Sequence, residues 1–226
     1  TDTAASIIVV KGGAAALNCF FPDDDGTYDL SYNDKNDVIL HLIRDHTHCA
    51  CAHKAKYAKD IGNHTEHVDH KFVAWTDELV KEQYGNDTTR AAATALPKMA
   101  GCYYLTGDVT LTENEAWKPA DGVVLCLNGY SITGADGQDV ITVNNGVTFT
   151  LTDCHTGNEV GQITHKTDAS GCGVYVQYGT FNMYGGSITG NNVKNNSGGV
   201  NLASSTVTVS GSANITGNVK GGSKSN

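Results

Sequence analysis

The chain has 226 residues, with 24 acidic and 15 basic side chains and a formal net charge of −9. Such a chain has no cationic surface for a phosphate backbone, so we expect neither nucleic-acid binding nor docking on an anionic membrane. No run of apolar residues approaches the length of about 18 that predicts a membrane-spanning helix, so we expect no membrane insertion. Hydrophobic residues make up 39% of the chain, which is enough for a buried core.

The charged residues are concentrated in the first half of the chain. Residues 1–118 contain 18 acidic and 11 basic side chains, whereas residues 119–226 contain 6 and 4. Seven of the nine histidines also precede residue 71. We therefore predict a β-hairpin segment at 1–45, a Cys/His-rich segment with a helical cap at 46–100, and a repetitive domain at 101–226.

Local patterns predict three elements before the repeats. Two apolar runs, Ile7–Val10 and Leu17–Phe21, flank a pair of glycines and indicate a hairpin over residues 5–21. Residues 76–83, which begin with acidic side chains, indicate a helix, and residues 88–96 indicate a second helix stopped by Pro97. A solenoid needs such elements because its first coil would otherwise expose a strand edge and an apolar end.

A three-strand motif recurs in the second half. Its copies contain strands at 141–143, 149–151 and 163, then at 174–176, 181–183 and 188, then at 200–202, 207–209 and 215. Residues 125–134 match residues 181–190 position for position as a partial earlier copy. Apolar and polar residues alternate within each strand, which places one set inward and the other in solvent.

These repeats predict an all-β fold, a right-handed parallel β-helix, in which coils stack at about 4.8 Å. Three interior ladders follow: Phe149 with Phe181 and Val207, Leu151 with Met183 and Val209, and Ile163 with Ile188 and Ile215. A β-sandwich or β-prism is also built of short strands, but neither requires the same motif in register at each period.

Five stretches of the sequence resemble a known group of proteins. They are residues 46–51, 61–67, 118–129, 150–154 and 180–191. Residues 46–226 resemble large secreted or wall-anchored proteins of Gram-positive anaerobic bacteria, which carry pectate-lyase-like parallel β-helix domains and are adhesin-like. The resemblance implies a fold and an extracellular or cell-wall location rather than a reaction.

The Cys/His-rich segment is a candidate zinc site. Thiolates and imidazoles are the ligands that zinc prefers, and we predict a structural zinc bound by Cys49, Cys51, His64 and His67. The spacing matches no known zinc finger, so thiols that are free or linked to a partner, and simple surface polarity, stay as alternatives. The chain has seven cysteines, an odd number that excludes complete internal disulfide pairing. Calcium is not expected, because the acidic turn at Asp23–Asp25 lacks the ligand pattern of a calcium loop.

Tyrosines supply the candidate contact residues. Tyr175 is predicted on an outward row, Tyr178 in a turn and Tyr184 directly after the inward Met183. A tyrosine on a solenoid face can stack on a sugar ring or anchor a partner protein, although ordinary strand composition also explains these positions.

Carboxylates are the residues that polysaccharide cleavage requires on this fold. The carboxylates of Asp136, Asp139 and Asp153 are the ones expected to come close to one another near one turn, but no basic residue lies at a matched position to act with them. The sequence therefore favours a non-catalytic, extracellular adhesive or architectural module that binds a glycan or a cell-surface protein. A polysaccharide lyase or glycosidase, or its substrate-binding part, is the first alternative. Self-assembly through the solenoid end near residues 218–226, as a surface or filament subunit, is the second.

Overall fold

The computed structural model describes residues 7–10, 28–32, 38–42, 46–49, 69–85, 87, 89–112, 116–155, 157–194, 196–221 and 223–224. The chain divides into two compact units, Thr1–His46 and Thr47–Asn226.

The first unit contains a three-stranded antiparallel sheet. Its strands are β1 (Ile7–Val10), β2 (Tyr28–Tyr32) and β3 (Val38–Leu42), in the order β1-β3-β2. The apolar β3 lies in the centre, where both of its edges are hydrogen-bonded. The predicted strand at 7–10 is confirmed, but its described neighbour is β3. The expected partner at 17–21 and the acidic turn at Asp23–Asp25 lie outside the described residues.

The second unit is a parallel β-solenoid preceded by a short antiparallel pair. In chain order its elements are β4 (Thr47–Cys49), β5 (Asp69–Lys71), β6 (Val73–Trp75), α1 (Asp77–Tyr84), β7 (Gly101–Leu105), β8 (Val109–Thr110), β9 (Val123–Cys126), β10 (Ile132–Gly134), β11 (Ile141–Val143), β12 (Thr148–Thr152), a 3-10 turn (Gly157–Glu159), β13 (Gln162–His165), β14 (Val174–Gln177), β15 (Thr180–Met183), β16 (Ser187–Ile188), β17 (Asn192–Val193), β18 (Val200–Ala203), β19 (Thr206–Val209), β20 (Asn214–Ile215), β21 (Val219–Lys220) and β22 (Ser223–Lys224).

Three parallel sheets form the walls of the solenoid. The first sheet has the order β19-β15-β12-β9-β7-β6, the second β20-β16-β13-β10-β8, and the third β11-β14-β18. Because each coil contributes one strand to a sheet, equivalent residues of successive coils become direct neighbours. A smaller group, β17-β21-β22, forms a corner in the last two coils.

All three predicted interior ladders are confirmed. Phe149 pairs with Phe181, and Phe181 pairs with Val207; the leucine–methionine–valine and the isoleucine ladders follow the same register. The rings of Phe149 and Phe181 stack with centroids 5.7 Å apart, and Trp117 meets Phe149 edge-on at 5.2 Å. This aromatic stack fills the centre of the described core, where Phe149 and Phe181 are fully buried.

The partial earlier copy is displaced by two residues from its predicted alignment. Leu125 pairs with Leu151 and so aligns with Met183, not with Phe181. Ile132 nevertheless pairs with Ile163, as the repeat requires. The loop at 127–131 absorbs the difference, and its turn at Asn128 and Gly129 has positive φ at both residues. A shift of two residues keeps every inward side chain inward because the strand period is two.

The N-terminal end of the solenoid is covered by β6, α1 and the chain that follows. Strand β6 pairs in parallel with β7, and α1 buries Val80 against the same end. The Trp75 indole donates a hydrogen bond to the Ala95 carbonyl at 2.8 Å. The expected helical cap is therefore present, built from one helix and an irregular segment.

The second predicted helix, at 88–96, is wrong. Its described residues form turns, with only the single helical bond from the Ala95 N–H to the Ala91 carbonyl. Two other backbone groups bond to distant residues: the Ala92 N–H donates to Asp77, and the Ala93 carbonyl accepts from the Thr110 N–H. Docking onto β8 thus outweighs the helical propensity of an alanine-rich run.

Buried polar side chains also stack from coil to coil. His165 Nδ1 lies 2.7 Å from Asn191 Oδ1, and His165 Nε2 lies 2.8 Å from the Gln138 carbonyl oxygen. Asn191 in turn donates from Nδ2 to Asn218 Oδ1 at 2.9 Å. These bonds satisfy polar groups in the interior, where an unpaired group is costly.

Replacing an inward and an adjacent outward residue tests this register. We expect Met183→Asp to destabilise the solenoid by more than about 4 kcal/mol, because it buries an unpaired charge. Asn182→Asp, on the outward side, should change stability by less than about 0.5 kcal/mol. Urea unfolding followed by tryptophan fluorescence reports on this unit alone, since both tryptophans of the chain, Trp75 and Trp117, lie in it. Similar stability of the two variants would contradict the register.

Candidate functional site

The predicted tyrosines occupy two different parts of the solenoid surface. Tyr175 lies on β14, in register with Thr142 and Asn201 on the outer face of the third sheet. Tyr178 follows the same strand in a turn with positive φ and is 57% exposed. Tyr184 follows β15, at the corner that leads to the second sheet, and is half-buried. Tyr175 and Tyr178 thus share one edge of the molecule, and Tyr184 does not lie on the same sheet.

Aspartates link neighbouring coils. Asp136 accepts hydrogen bonds from the Ser170 N–H at 2.8 Å and the Ser170 hydroxyl at 3.1 Å. Those bonds lower the pKa of Asp136. Asp139 accepts from the Cys172 N–H at 3.1 Å.

The same arrangement recurs earlier in the solenoid. Asp108 accepts from the Ser131 N–H and Asp121 accepts from the Thr148 N–H, each at 2.8 Å. These carboxylates hold the start of the following coil. Asp153 serves a different loop, so Asp136, Asp139 and Asp153 do not converge on one site.

The zinc prediction is left untested. Cys49 lies on β4, opposite Asp69 of β5, and Cys51, His64 and His67 lie outside the described residues. The adjacent His70 places Nδ1 3.7 Å from the Cys102 sulfur. Strand β5 therefore lies close to the outer face of the first sheet, because Cys102 alternates with the buried Tyr103 on β7.

A cluster that the sequence analysis did not identify lies at the ends of β9 and β12. Cys126 pairs with Thr152, and the chain then continues through Asp153, Cys154 and His155. The sulfur atoms of Cys126 and Cys154 lie within 4.8 Å of each other, as do the ligand atoms of Asp153, Cys154 and His155. We call these four residues the thiol cluster.

Asp153 fixes the geometry of the thiol cluster. Its Oδ1 accepts from the His155 N–H at 2.8 Å and the Gly129 N–H at 3.1 Å, and its Oδ2 accepts from the Gly161 N–H at 2.6 Å. A side chain at Gly161 would collide with the Tyr130 carbonyl, so glycine allows this close approach. Burial raises the pKa of Asp153, and the three backbone donors oppose that rise.

Cys154 and His155 project from this fixed loop. Cys154 donates from its thiol to Asn128 Oδ1 at 3.3 Å, and its sulfur lies 3.5 Å from His155 Nδ1. His155 Nδ1 lies 3.7 Å from Asp153 Oδ1. The Cys154 sulfur and the Asp153 carboxylate thus both lie near His155 Nδ1, which suits proton transfer from sulfur to nitrogen close to a carboxylate.

The incorrect alignment of the earlier copy concealed this cluster. Aligning Leu125 with Phe181 aligns Cys126 with Asn182 and so pairs it with Thr150 of the adjacent coil, two residues before its true partner. The observed register places it beside Thr152. The run Asp153, Cys154 and His155 was the remaining signal, since it places three potential ligand or proton-transfer groups together in the half of the chain that has few charges.

A shallow groove of about 390 Å³ lies beside the cap. It is lined by residues 75–78, 92–93 and 105–108. Two of its three carboxylates, Asp77 and Asp108, already accept backbone hydrogen bonds from Ala92 and Ser131. Two of the three carboxylates in the groove are therefore already occupied by hydrogen bonds within the protein.

Comparison of the chain with known protein families, with curated proteins and with solved structures finds no match.

Removing the Asp153 carboxylate tests its role in holding the thiol cluster. We expect Asp153→Ala to cost about 2–4 kcal/mol, because it leaves buried N–H groups without an acceptor. Asp121→Ala, which removes one bond at an exposed turn, should cost less than about 1 kcal/mol. Urea unfolding monitored by tryptophan fluorescence measures both variants, and equal losses would contradict the role assigned to Asp153.

Proposed function

We propose that this chain is a non-catalytic adhesive or architectural module whose solenoid surface binds a glycan or a protein. The observation that carries the proposal is the in-register row formed by Thr142, Tyr175 and Asn201 on the third sheet. Their backbones are spaced at about 4.8 Å by the parallel ladder. Such a row presents hydroxyl, phenol and amide groups at fixed intervals, so a ligand needs little rearrangement of the protein to bind.

The neighbouring turn extends this surface. Tyr178 directly follows the strand that carries Tyr175 and is largely exposed. A tyrosine ring offers a large contact area with a polar tip, and glycans and protein surfaces both use such contacts. Contact energy spread over several coils also suits adhesion, in which many weak contacts act together.

An extracellular or cell-wall location is part of the same proposal. It is supported by the resemblance of residues 46–226 to secreted and wall-anchored pectate-lyase-like β-helix proteins of Gram-positive anaerobes. Among the described helices, none is long and apolar enough to cross a membrane.

The carboxylate contacts weigh against polysaccharide cleavage as the activity of the coils. Lyase and hydrolase chemistry requires carboxylates that face a substrate. Asp136, Asp139 and Asp153 instead accept hydrogen bonds from backbone groups of the protein. The enzyme alternative therefore requires other residues.

Graded loss of binding distinguishes the module from the enzyme. We expect Tyr175→Ala and Tyr178→Ala each to weaken binding by about 1 kcal/mol, roughly the contribution of one exposed aromatic contact, whereas Tyr184→Ala, off this surface, should have little effect. Tyr175→Phe keeps the ring and serves as the matched control. The measurements are binding to a glycan array and release of product from polygalacturonate and host-type glycans. Sustained product release from the unaltered chain would refute the binding module and support the enzyme, with residues other than Asp136, Asp139 and Asp153 as its catalytic groups.

Self-association is a second candidate, because the last coil that the structure describes exposes apolar side chains. Leu202 is 52% exposed and Val209 is 46% exposed. Their partners in the preceding coil, Val176 and Met183, are fully buried. The other end is covered by β6, α1 and the segment after them, so a head-to-tail filament is disfavoured. Two copies meeting through their last coils would instead form a closed dimer.

Charge placed on either end tests this candidate. We expect sedimentation to show a concentration-dependent dimer that Val209→Lys dissociates, because the charge lies in the contact. Val73→Lys is the matched control, since Val73 is 51% exposed on β6 at the opposite end. A monomer at every concentration, or equal effects of the two variants, would refute self-association.

A further inference from the structure

We propose that Cys126 and Cys154 form a reversible disulfide between the second and third coils, with Cys154 as the attacking thiol. The inference is independent of the proposed binding function.

The two cysteines are close because of the register of the first sheet. Cys126 is the last residue of β9 and pairs with Thr152, the last residue of β12. The chain bends after Thr152 and brings the Cys154 sulfur within 4.8 Å of the Cys126 sulfur. Both residues are thiols in this structure. A disulfide has a sulfur–sulfur distance of about 2.0 Å, so the two sulfurs must move closer by less than about 3 Å. Cys154, which lies in a loop, can make this movement while Cys126 stays in its strand.

The two thiols differ in access. Cys154 is exposed, whereas Cys126 is fully buried. Burial raises the pKa of Cys126 well above its ordinary value, and the neighbouring Cys154 and Asp153 add to that rise. An oxidant in solution therefore meets Cys154 first, and Cys126 is in place to react with its adduct.

His155 is placed to accept the Cys154 proton. Its Nδ1 lies 3.5 Å from the Cys154 sulfur and 3.7 Å from Asp153 Oδ1, so the thiol and the carboxylate both face the same ring nitrogen. The His155 side chain is only 18% exposed, so the imidazole lies beside the thiol in a largely enclosed site. His155 thus acts as a positioning and proton-accepting residue for the thiol.

The reaction is thiol–disulfide exchange with a low-molecular-weight disulfide, for example oxidised glutathione. The Cys154 thiolate attacks one sulfur, the disulfide bond of glutathione breaks, and one reduced glutathione leaves with the proton held by His155. The Cys126 sulfur then attacks the Cys154 sulfur of the mixed disulfide, gives up its proton to the second glutathione, and releases it. Two protein thiols are oxidised and one glutathione disulfide is reduced to two thiols.

The resulting bond would link neighbouring coils at the end of the loop at 127–131. That loop and the one at 153–161 are held by hydrogen bonds to Asp153 rather than by a parallel ladder. A covalent link there restricts the unfolded chain and should raise the melting temperature of the oxidised protein by several degrees.

Peptide mapping after a glutathione redox titration tests the proposal on the full chain. The reduced protein is equilibrated at graded ratios of oxidised to reduced glutathione, alkylated, and cleaved on the N-terminal side of aspartates. This cleavage puts Cys126 in peptide 121–135 and Cys154 in peptide 153–167. We expect these two peptides to be joined under oxidising conditions and separate under reducing conditions.

Variants assign the roles of the two thiols. Cys126→Ser should accumulate a glutathione adduct on Cys154, because no second thiol resolves it. Cys154→Ser should leave Cys126 without an adduct, and His155→Ala should slow disulfide formation about tenfold. Cys172→Ser is the matched control and should leave the linked pair unchanged. Cys172 is also buried, and burial and Asp139 raise its pKa.

If Cys126→Ser does not fold, alkylation of the reduced native protein provides the same assignment. Cys154 should then react at least about tenfold faster than Cys126, which should react only on unfolding. Three results would overturn the proposal: no linked pair at any redox ratio, a link from either cysteine to a different cysteine, or stoichiometric zinc that both variants lose. The last result would identify the cluster as a metal site.

Discussion

The parallel hydrogen-bond register between coils is the constraint on which the rest of the solenoid depends. Each strand residue has an equivalent residue about 4.8 Å above and below it, so an interior position must suit a whole column of side chains. The stacked rings of Phe149 and Phe181 satisfy this requirement, as does the isoleucine column through Ile163 and Ile188. Polar columns obey the same rule, because Asn191 and Asn218 repeat the same pattern of donation to backbone carbonyls.

The same constraint explains how much of the fold could be predicted from the sequence. Strands with strict alternation, such as those containing Met183 and Val209, align correctly because a shift by one residue would turn their apolar side chains outward. The earlier copy misaligned by two residues, since alternation cannot distinguish registers that differ by a full period. The run at 88–96 failed for another reason: its backbone partners, Asp77 and Thr110, are distant in sequence and leave no local signal.

The candidate site residues were harder to predict than the fold. The positions of Tyr175 and Tyr178 followed from the strand pattern, because an outward residue and a turn residue are local properties. The proximity of Cys126 to Cys154 depends on the exact register and on a bend after Thr152, and alternation specifies neither. Asp153 was a candidate for catalysis on its residue type alone. The sequence does not indicate that the N–H groups of Gly129, His155 and Gly161 donate to it, because these contacts depend on the shape of the loop.

Most of the thiol cluster lies in a loop, where the side chains no longer have to match a neighbouring coil. The connection from the first sheet to the second is three residues long in one coil, at 184–186, and nine residues long in another, at 153–161. The longer loop has no parallel neighbour to set its shape, so a buried carboxylate performs that task. Because Asp153 bonds to the loops of two coils, the positions of Cys154 and His155 are tied to the coil that contains Cys126. The distance between the two sulfurs is therefore set by the hydrogen bonds of Asp153 as well as by the register of the first sheet.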